Sequence, residues 1–380
     1  MIGDDQVFVP GRIGFFHLLN IESLKPLEPV THFLTGACMG RAGLNRKTAL
    51  ATLTLTLAAE APDLDVLGRV KGAAFGFAHH RGFTHSFLGV PICAAAVVGF
   101  VYLIWRMRGR KTNDPHLPVR WGALFFYAVL AGLSHILLDF TNNYGVRPFW
   151  PFSEKWYSWD IVFIFEPVMF GLLLLGLIAP WLFGLIDKEI GVRQRGPRGR
   201  FAATLALTGV VLMWGVRDYE HRRAVHVLES REYEGVDPVR VSAYPTWVDP
   251  FHWSGVVETP AFFALAPVDS LTPEVDPEGQ MEIRYKPAET PVTLAAKKSY
   301  IGRAYLDWAQ YPITETETLD SPPGGYIVHF QDLRYVEVPS ALGSRGRRVL
   351  GAAVELGPNL QVLGDLSGAG NDQVLVPEPD

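Results

Sequence analysis

The sequence predicts an α-helical polytopic membrane domain followed by a small β-rich extracytoplasmic domain. The chain has 380 residues, of which 48% are hydrophobic and only 19% are charged, a composition too apolar for an ordinary soluble enzyme. The apolar excess lies before residue 218, and the remainder mixes charged residues, prolines and short runs that predict strands, among them Val225–Glu232 and Arg334–Val338. We therefore divide the chain into an N-terminal segment 1–30, a membrane domain 31–217 and a β-rich domain 218–380.

Four apolar stretches have about the length of a membrane-spanning helix. They cover residues 86–105, 120–139, 161–186 and 200–217, and the last is slightly short of the ~20 residues that a span needs. Two shorter segments, 31–42 and 47–61, precede them and are joined by a basic, glycine-containing turn. These two segments predict a helical hairpin, which gives the membrane domain about six helices.

The distribution of basic residues predicts the orientation in the membrane. The loops 106–120 and 187–200 each contain five Arg and Lys residues, and the positive-inside rule places such loops in the cytoplasm. If every segment crosses, the hairpin turn with Arg41, Arg46 and Lys47 lies on the same side. The β-rich domain and the opposite ends of the helices then lie outside.

Histidines and aspartates gather at this predicted outer end. His135 and Asp139 are four residues apart in an apolar stretch and therefore share one helix face. Taken alone, this pair could equally be a hydrogen bond between helices, and the motifs around Asp63 and His85 could be polar loops. Charged groups near lipid are retained chiefly where they bind something. We therefore predict a metal centre formed by His32, Asp63, Asp65, His80, His85, His135 and Asp139.

This donor set indicates the metal and the chemistry. Mixed imidazole and carboxylate ligands favour Zn²⁺, while Mn²⁺, Fe²⁺ and Mg²⁺ also suit subsets of them. The number of donors suffices for two ions about 3.5–4 Å apart, an arrangement that clamps the oxygens of a phosphoester. We expect Asp160 or Glu166 to act as the general base and Arg81 to stabilise phosphoryl charge. A lipid is the expected substrate, and the bilayer is the expected partner.

Other functions remain compatible with these residues. The same His and Asp side chains could form the proton or cation path of a transporter, although they lie at one end of the helices. A non-catalytic scaffold with a structural metal is a further alternative, which a closed coordination shell would mark. Nucleic acid is excluded as a partner, because the net charge is −5 and the basic residues form no continuous face. The sequence does not indicate an oligomeric state.

Four motifs in order resemble the LexA-regulated, inner-membrane metal-dependent hydrolase family over about residues 30–185. They are Thr31-His32, Ala61-Pro62-Asp63-Leu64-Asp65, His80-Arg81-Gly82-Phe83-Thr84-His85-Ser86, and Leu133-Ser134-His135-Ile136-Leu137-Leu138-Asp139 followed by Pro148-Phe149-Trp150-Pro151. The resemblance implies a multi-pass protein of the bacterial inner membrane that is a metal-dependent hydrolase. The family's turn has the pattern P-D-x-D-H, whereas Val66 follows Asp65 in this chain, so one of the family's donors is missing.

Overall fold

The structure, a computed structural model, describes residues 27–189, 199–336 and 350–367. Most of the predicted N-terminal segment 1–30 and the middle of the basic loop 187–200 therefore lie outside the described residues. The described chain forms a helical part up to residue 229 and a part with two β-sheets after it. The helices of the first part are α1 (Leu27–Arg41), α2 (Ala51–Glu60), α3 (Ala73–His79), α4 (Gly89–Met107), α5 (Trp121–Thr141), α6 (Pro167–Glu189) and α7 (Arg200–Glu229).

Helices α1 and α2 form the predicted hairpin. They pack so closely that a Cβ atom on Gly36 would lie 2.6 Å from the backbone oxygen of Leu55, and one on Gly40 would lie 2.8 Å from Oγ1 of Thr52. With 15 and 10 residues, these helices are about 22 and 15 Å long, which is shorter than the hydrocarbon core of a bilayer. The expectation that each of them crosses the membrane is therefore not supported by their lengths.

Helices α4 to α7 are the four helices among the described residues that are long and apolar enough to cross a membrane. The predicted spans are confirmed with shifted ends. Residues 161–166 precede α6 instead of belonging to it, and α7 has 30 residues, so it runs well past the predicted end at residue 217. The strand predicted at Val225–Glu232 is wrong, because α7 continues to Glu229 and buries Leu228 beneath the first β-sheet.

The basic segments meet at one end of the helical part, as the sequence predicts. The turn after α1 contacts the loop before α5, where the backbone N–H of Arg120 donates to Oγ1 of Thr48. The guanidinium of Arg200, at the start of α7, donates to the backbone oxygen of Ala42. The chain therefore has one basic end, and by connectivity the start of α4 and the end of α5 lie at the opposite end.

The C-terminal part is built from two antiparallel sheets and two short helices. The strands and helices are β1 (Arg240–Pro245), β2 (His252–Glu258), β3 (Phe262–Asp269), β4 (Glu274–Val275), β5 (Glu282–Tyr285), α8 (Pro291–Lys298), α9 (Tyr300–Trp308), β6 (Pro312–Leu319), β7 (Gly325–Asp332), β8 (Ala352–Leu356) and β9 (Val362–Ser367). The first sheet has the order β1-β2-β3-β4 with β5 also paired to β3, and the second has the order β6-β7-β8-β9. The strand predicted at Arg334–Val338 is wrong at residues 334–335, which belong to the 3-10 turn Leu333–Tyr335, and residues 337–338 lie outside the described chain.

The β-rich part packs on the helical part beside the loop that follows α5. The indole N–H of Trp308 donates to the backbone oxygen of Tyr144 at 3.1 Å. Arg334 and Tyr335 both donate to the backbone oxygen of Asn143, at 2.7 and 2.8 Å. Because these donors and acceptors are buried, the contact fixes the position of this loop.

Candidate metal centre

Two connecting segments and the end of one helix bring the predicted donors to one end of the bundle. Asp63 and Asp65 belong to a 3-10 segment, Ala61–Lys71, which begins directly after α2 with Ala61 and Pro62. His80 and His85 lie in the connection between α3 and α4, and His135 and Asp139 lie near the end of α5. The connection is tight against α4, since a Cβ atom on Gly89 would lie 1.8 Å from the backbone oxygen of Phe83.

Two histidines and two aspartates form the centre of the cluster. The Nε2 atoms of His85 and His135 are 3.1 Å apart. Oδ2 of Asp139 lies 3.3 Å from both nitrogens, and Oδ1 of Asp63 lies 3.4 and 3.5 Å from them. Two ligands of one tetrahedral zinc ion are about 3.3–3.6 Å apart at ordinary bond lengths, so these donor atoms have the spacing of a coordination shell.

The imidazoles of His85 and His135 are both oriented by oxygen atoms near Nδ1, the ring nitrogen that points away from the centre of the cluster. Nδ1 of His135 donates to the backbone oxygen of Ala59 at 2.6 Å. Nδ1 of His85 lies 3.1 Å from Oγ1 of Thr84 and 3.3 Å from Oδ2 of Asp65. An oxygen acceptor at Nδ1 fixes the tautomer and leaves Nε2 as the donor to a metal.

His32 extends the cluster on the side of α1. Its Nε2 lies 3.4 Å from Oδ1 of Asp139, and its ring stacks on His135 with 3.8 Å between ring centroids. Its Nδ1 is buried and makes no hydrogen bond among the described residues, and the same holds for Oδ2 of Asp139, whereas Oδ1 of Asp139 is ion-paired with Arg81. Two overlapping donor groups result, one of His32, Asp63 and His135 and the other of His85, His135 and Asp139.

The charges of the cluster favour a cation. Burial alone would raise the pKa values of the Asp63 and Asp65 carboxyl groups, but the neighbouring histidines hold both well below the usual range. Burial alone would lower the pKa of the His85 imidazole, whereas Asp139, Asp63 and Asp65 together raise it to about 9. Metal binding requires neutral imidazoles, and three carboxylates then face one arginine, so that the buried negative charge needs compensation. The unpartnered donor atoms and this negative charge both fit a divalent ion.

Asp65 and His80 lie beside the donor atoms rather than among them. Asp65 accepts hydrogen bonds from Nδ1 of His80 at 3.1 Å and from the backbone N–H of Arg81 at 2.7 Å. It also faces the Nδ1 side of His85. In the structure Asp65 therefore orients the ligand His85. His80 contacts Asp65 and not the Nε2 atoms of His85 and His135.

Arg81 is buried and braces the cluster. It is 2% exposed, its Nη2 lies 3.0 Å from Oδ1 of Asp139, and its Nη1 donates to Oδ1 of Asn142 and to the backbone oxygen of Gly145. This guanidinium already serves three protein acceptors. The expected role of Arg81 in binding a phosphoryl group is therefore replaced by a role in holding Asp139 and the loop after α5.

The two expected bases, Asp160 and Glu166, do not join the cluster. Glu166 forms an ion pair with Arg217 of α7 at 2.8 Å. Asp160 is buried towards the β-rich part, where burial raises the pKa of its carboxyl group to about 6 against the opposing charge of Arg334. Both residues precede α6, and their carboxyl groups face Arg217 and the β-rich part instead of the metal donors.

Glu60 is an acidic residue of the site that the sequence did not indicate. It is the last residue of α2, and its carboxylate is near enough to interact electrostatically with Asp63 and His135. One of its oxygens, Oε1, is buried without a hydrogen-bond partner among the described residues. The signal for it was its place three residues before Asp63, at the end of an otherwise apolar helix.

Comparison with known proteins assigns the family. The family model described as YdjM inner membrane protein matches residues 27–222, which contain every residue of the cluster. The chain belongs to the YdjM inner membrane protein family. It is also similar to the uncharacterized protein YfhP of Bacillus subtilis (strain 168), with 25% identity over 351 residues that cover 90% of this chain and 95% of that protein. No solved structure matches the chain. Membership in the YdjM family agrees with the four apolar helices and makes this chain a membrane protein.

Proposed function

We propose that this protein is a membrane-bound, metal-dependent hydrolase that cleaves a phosphoester. The observation that carries the proposal is the pair of Nε2 atoms of His85 and His135, 3.1 Å apart, with a carboxylate oxygen of Asp63 and one of Asp139 within 3.5 Å of both. Zinc, with two histidine nitrogens and carboxylate oxygens, is the ion that suits this set best. His32 would complete the site for a second ion that shares His135.

A divalent ion at this place would supply a Lewis acid that makes water a better nucleophile and polarises a phosphoryl oxygen. The chain's own residues perform the other tasks. Ala59 and Asp65 hold the two imidazoles with Nε2 turned inwards. Arg81 holds Asp139 against the same point and offsets one of the three negative charges. The fixed orientation lowers the reorganisation needed for binding and reaction.

Glu60 is the general base in this scheme. A base must be near the reacting water without being a metal ligand. The carboxylate of Glu60 interacts electrostatically with Asp63 and His135, and its Oε1 is unpartnered in the described structure. Asp160 and Glu166 are poor candidates for this task, because Glu166 is paired with Arg217 and Asp160 faces the β-rich part.

The site belongs at the outer face of the bacterial inner membrane. The basic loop 106–120 and the basic hairpin turn support this orientation, since they lie at the end of the bundle opposite the cluster. The β-rich part, which contacts the loop at Asn143 and Tyr144, would then also be extracytoplasmic.

The test is hydrolysis by purified protein in detergent, loaded with Zn²⁺ and offered phosphatidate or an isoprenoid diphosphate. We expect phosphate release that chelator abolishes and that Glu60→Gln and His135→Ala each reduce by about two orders of magnitude or more. His79→Ala is the matched control, because the His79 ring is exposed, stacks on Phe75 and hydrogen-bonds to the Phe75 backbone oxygen.

A different outcome would favour the transporter. Hydrolysis that persists in chelator would refute the metal-dependent mechanism. Cation flux in liposomes that His135→Ala abolishes, without any hydrolysis by the wild-type protein, would assign the cluster to an ion path instead.

A further inference from the structure

The 3-10 segment Ala61–Lys71 carries an exposed apolar stripe. A 3-10 helix has three residues per turn, so residues three apart stand on one edge. Leu64, Leu67 and Val70 have this spacing and are 62%, 64% and 87% exposed. Runs of 3-10 helix longer than about four residues are uncommon. The outward apolar edge of this eleven-residue run is an exposed patch of the kind that marks an interaction site.

The stripe lies at the opening of the metal cluster. Asp63 belongs to the same segment, and its side chain is 23% exposed, whereas those of His85, His135 and Asp139 are at most 1% exposed. Among the four central residues of the cluster, Asp63 is thus the most exposed. A substrate that approaches along Asp63 passes the edge formed by Leu64 and Leu67.

The segment that carries the stripe adjoins the start of a membrane helix. The segment packs against the turn at Phe83–His85 and against α4. Phe83 and Phe87, at the start of α4, are exposed, and their rings contact Trp150 and Phe149 in the loop after α5. Aromatic residues at the end of a span are typical of the interface between bilayer and water. The stripe thus borders the belt that would meet the lipid.

Basic residues accompany the stripe on the other edges of the segment. Arg69 and Lys71 are exposed, and Lys71 stands over the ring of Phe75 with 5.0 Å between Nζ and the ring centroid. An apolar edge with adjacent basic residues is the pattern of a segment that lies in the membrane interface and attracts anionic head groups.

We infer that the stripe of Leu64, Leu67 and Val70 lies in the outer leaflet and guides the acyl chains of a phospholipid, whose phosphate then reaches the cluster past Asp63. The inference rests on the proposed function and defines its substrate as an amphipathic, anionic membrane lipid that enters from the side of the bilayer. Water-soluble phosphoesters would bind without the help of the stripe.

The first experiment locates the stripe without using activity. Leu67→Cys, made in a chain with Cys38 and Cys93 replaced by Ala, is labelled with an environment-sensitive fluorophore and reconstituted into vesicles of phosphatidylcholine and phosphatidylglycerol with brominated acyl chains. We expect strong quenching at position 67 and none for His116→Cys in the exposed basic loop. Fluorescence at position 67 that bromine leaves unquenched would overturn the inference.

The second experiment separates the inference from the proposed function. A variant with Leu64, Leu67 and Val70 all changed to Ser should cleave long-chain phosphatidate at a kcat/KM lowered about tenfold or more, because it loses the apolar contacts of the chains. Its cleavage of short-chain phosphatidate and its zinc content should stay unchanged. Equal loss on both substrates would contradict the inference. Quenching without hydrolysis of any phosphoester would instead reject the proposed function and leave the lipid contact standing.

Discussion

His85 and His135 direct their Nε2 atoms at each other across 3.1 Å. Nδ1 of His135 already donates to Ala59, and Nδ1 of His85 faces oxygen atoms of Thr84 and Asp65. Two unprotonated ring nitrogens at this distance would repel each other, so a proton or a cation must lie between the rings and the carboxylates. A metal ion satisfies both nitrogens at once, and this relationship is the basis of the following predictions.

Asp65→Asn should weaken metal binding without removing it. The carboxylate of Asp65 orients His85 from its Nδ1 side, and the loss of such a supporting group costs about 10–100-fold in affinity. The measurement is competition with a chelator of known zinc affinity. Asp114→Asn, in the exposed loop at the basic end, is the control. An unchanged zinc affinity in Asp65→Asn would show that Asp65 does not orient the ligand.

Arg81→Lys should destabilise the folded protein. Lysine cannot reach Asp139, Asn142 and Gly145 together, and a buried carboxylate that loses its partner costs about 3–5 kcal/mol. We expect a lower thermal midpoint in detergent and lower zinc content, with Arg69→Lys on the exposed surface as control. A variant that is as stable as the wild type and loses only phosphoester turnover would restore the original assignment of Arg81 to the substrate.

Asp160→Asn should stabilise the protein near neutral pH. Burial raises the folded-state pKa of Asp160 to about 6, against about 3.9 in the unfolded chain. The protonated carboxyl contributes stability that is fully present below pH 4 and is lost as the pH rises through 6. The substitution should therefore raise the free energy of unfolding by about 2–3 kcal/mol above pH 6 and leave it unchanged below pH 4. Asparagine also tolerates the positive φ of 57° at this position. Thermal midpoints measured from pH 4 to 8 test this, with the exposed Asp237→Asn as control, and a pH-independent difference would contradict the assignment.

Cysteine labelling should place the two ends of the bundle on opposite sides of the membrane. In a chain without native cysteines, His116→Cys should react only with reagent on the cytoplasmic side and Glu278→Cys only with reagent on the outer side. Both positions are exposed, so labelling depends on the side of the membrane that each position faces and not on burial within the protein. Reaction of position 278 from the cytoplasmic side alone would reverse the orientation.

The sequence predicts those features that depend on local pattern. Apolar length gives the four spans, and the basic loops give the end at which the hairpin turn packs. The i, i+4 spacing of His135 and Asp139 correctly places both in one cluster, and helix order brings Asp63 and His85 to the same end. Spacing alone also predicts Asp65 and His80 as ligands, because it cannot distinguish a donor from a residue that orients one.

Other features depend on tertiary contacts that no local pattern contains. Arg81 pairs with Asp139 because the loop after α5 folds back onto Arg81. Asn142 stabilises this loop conformation, and so do the contacts of Trp308 and Arg334 from the β-rich part. Residues 225–229 have strand-like side chains but continue α7, since Leu228 packs on the first sheet. The packing of α6 on α7 brings Glu166 into an ion pair with Arg217.

The metal content of the purified protein tests the proposed metal centre most directly. Wild-type protein, His85→Gln and Asp139→Asn, each shown by its thermal transition to be folded, should be compared with His79→Gln by elemental analysis. We predict one or two equivalents of a divalent metal in the wild type and in His79→Gln, and strong loss in the other two variants. Metal-free wild-type protein that binds no added zinc, or equal metal in all four proteins, would contradict it.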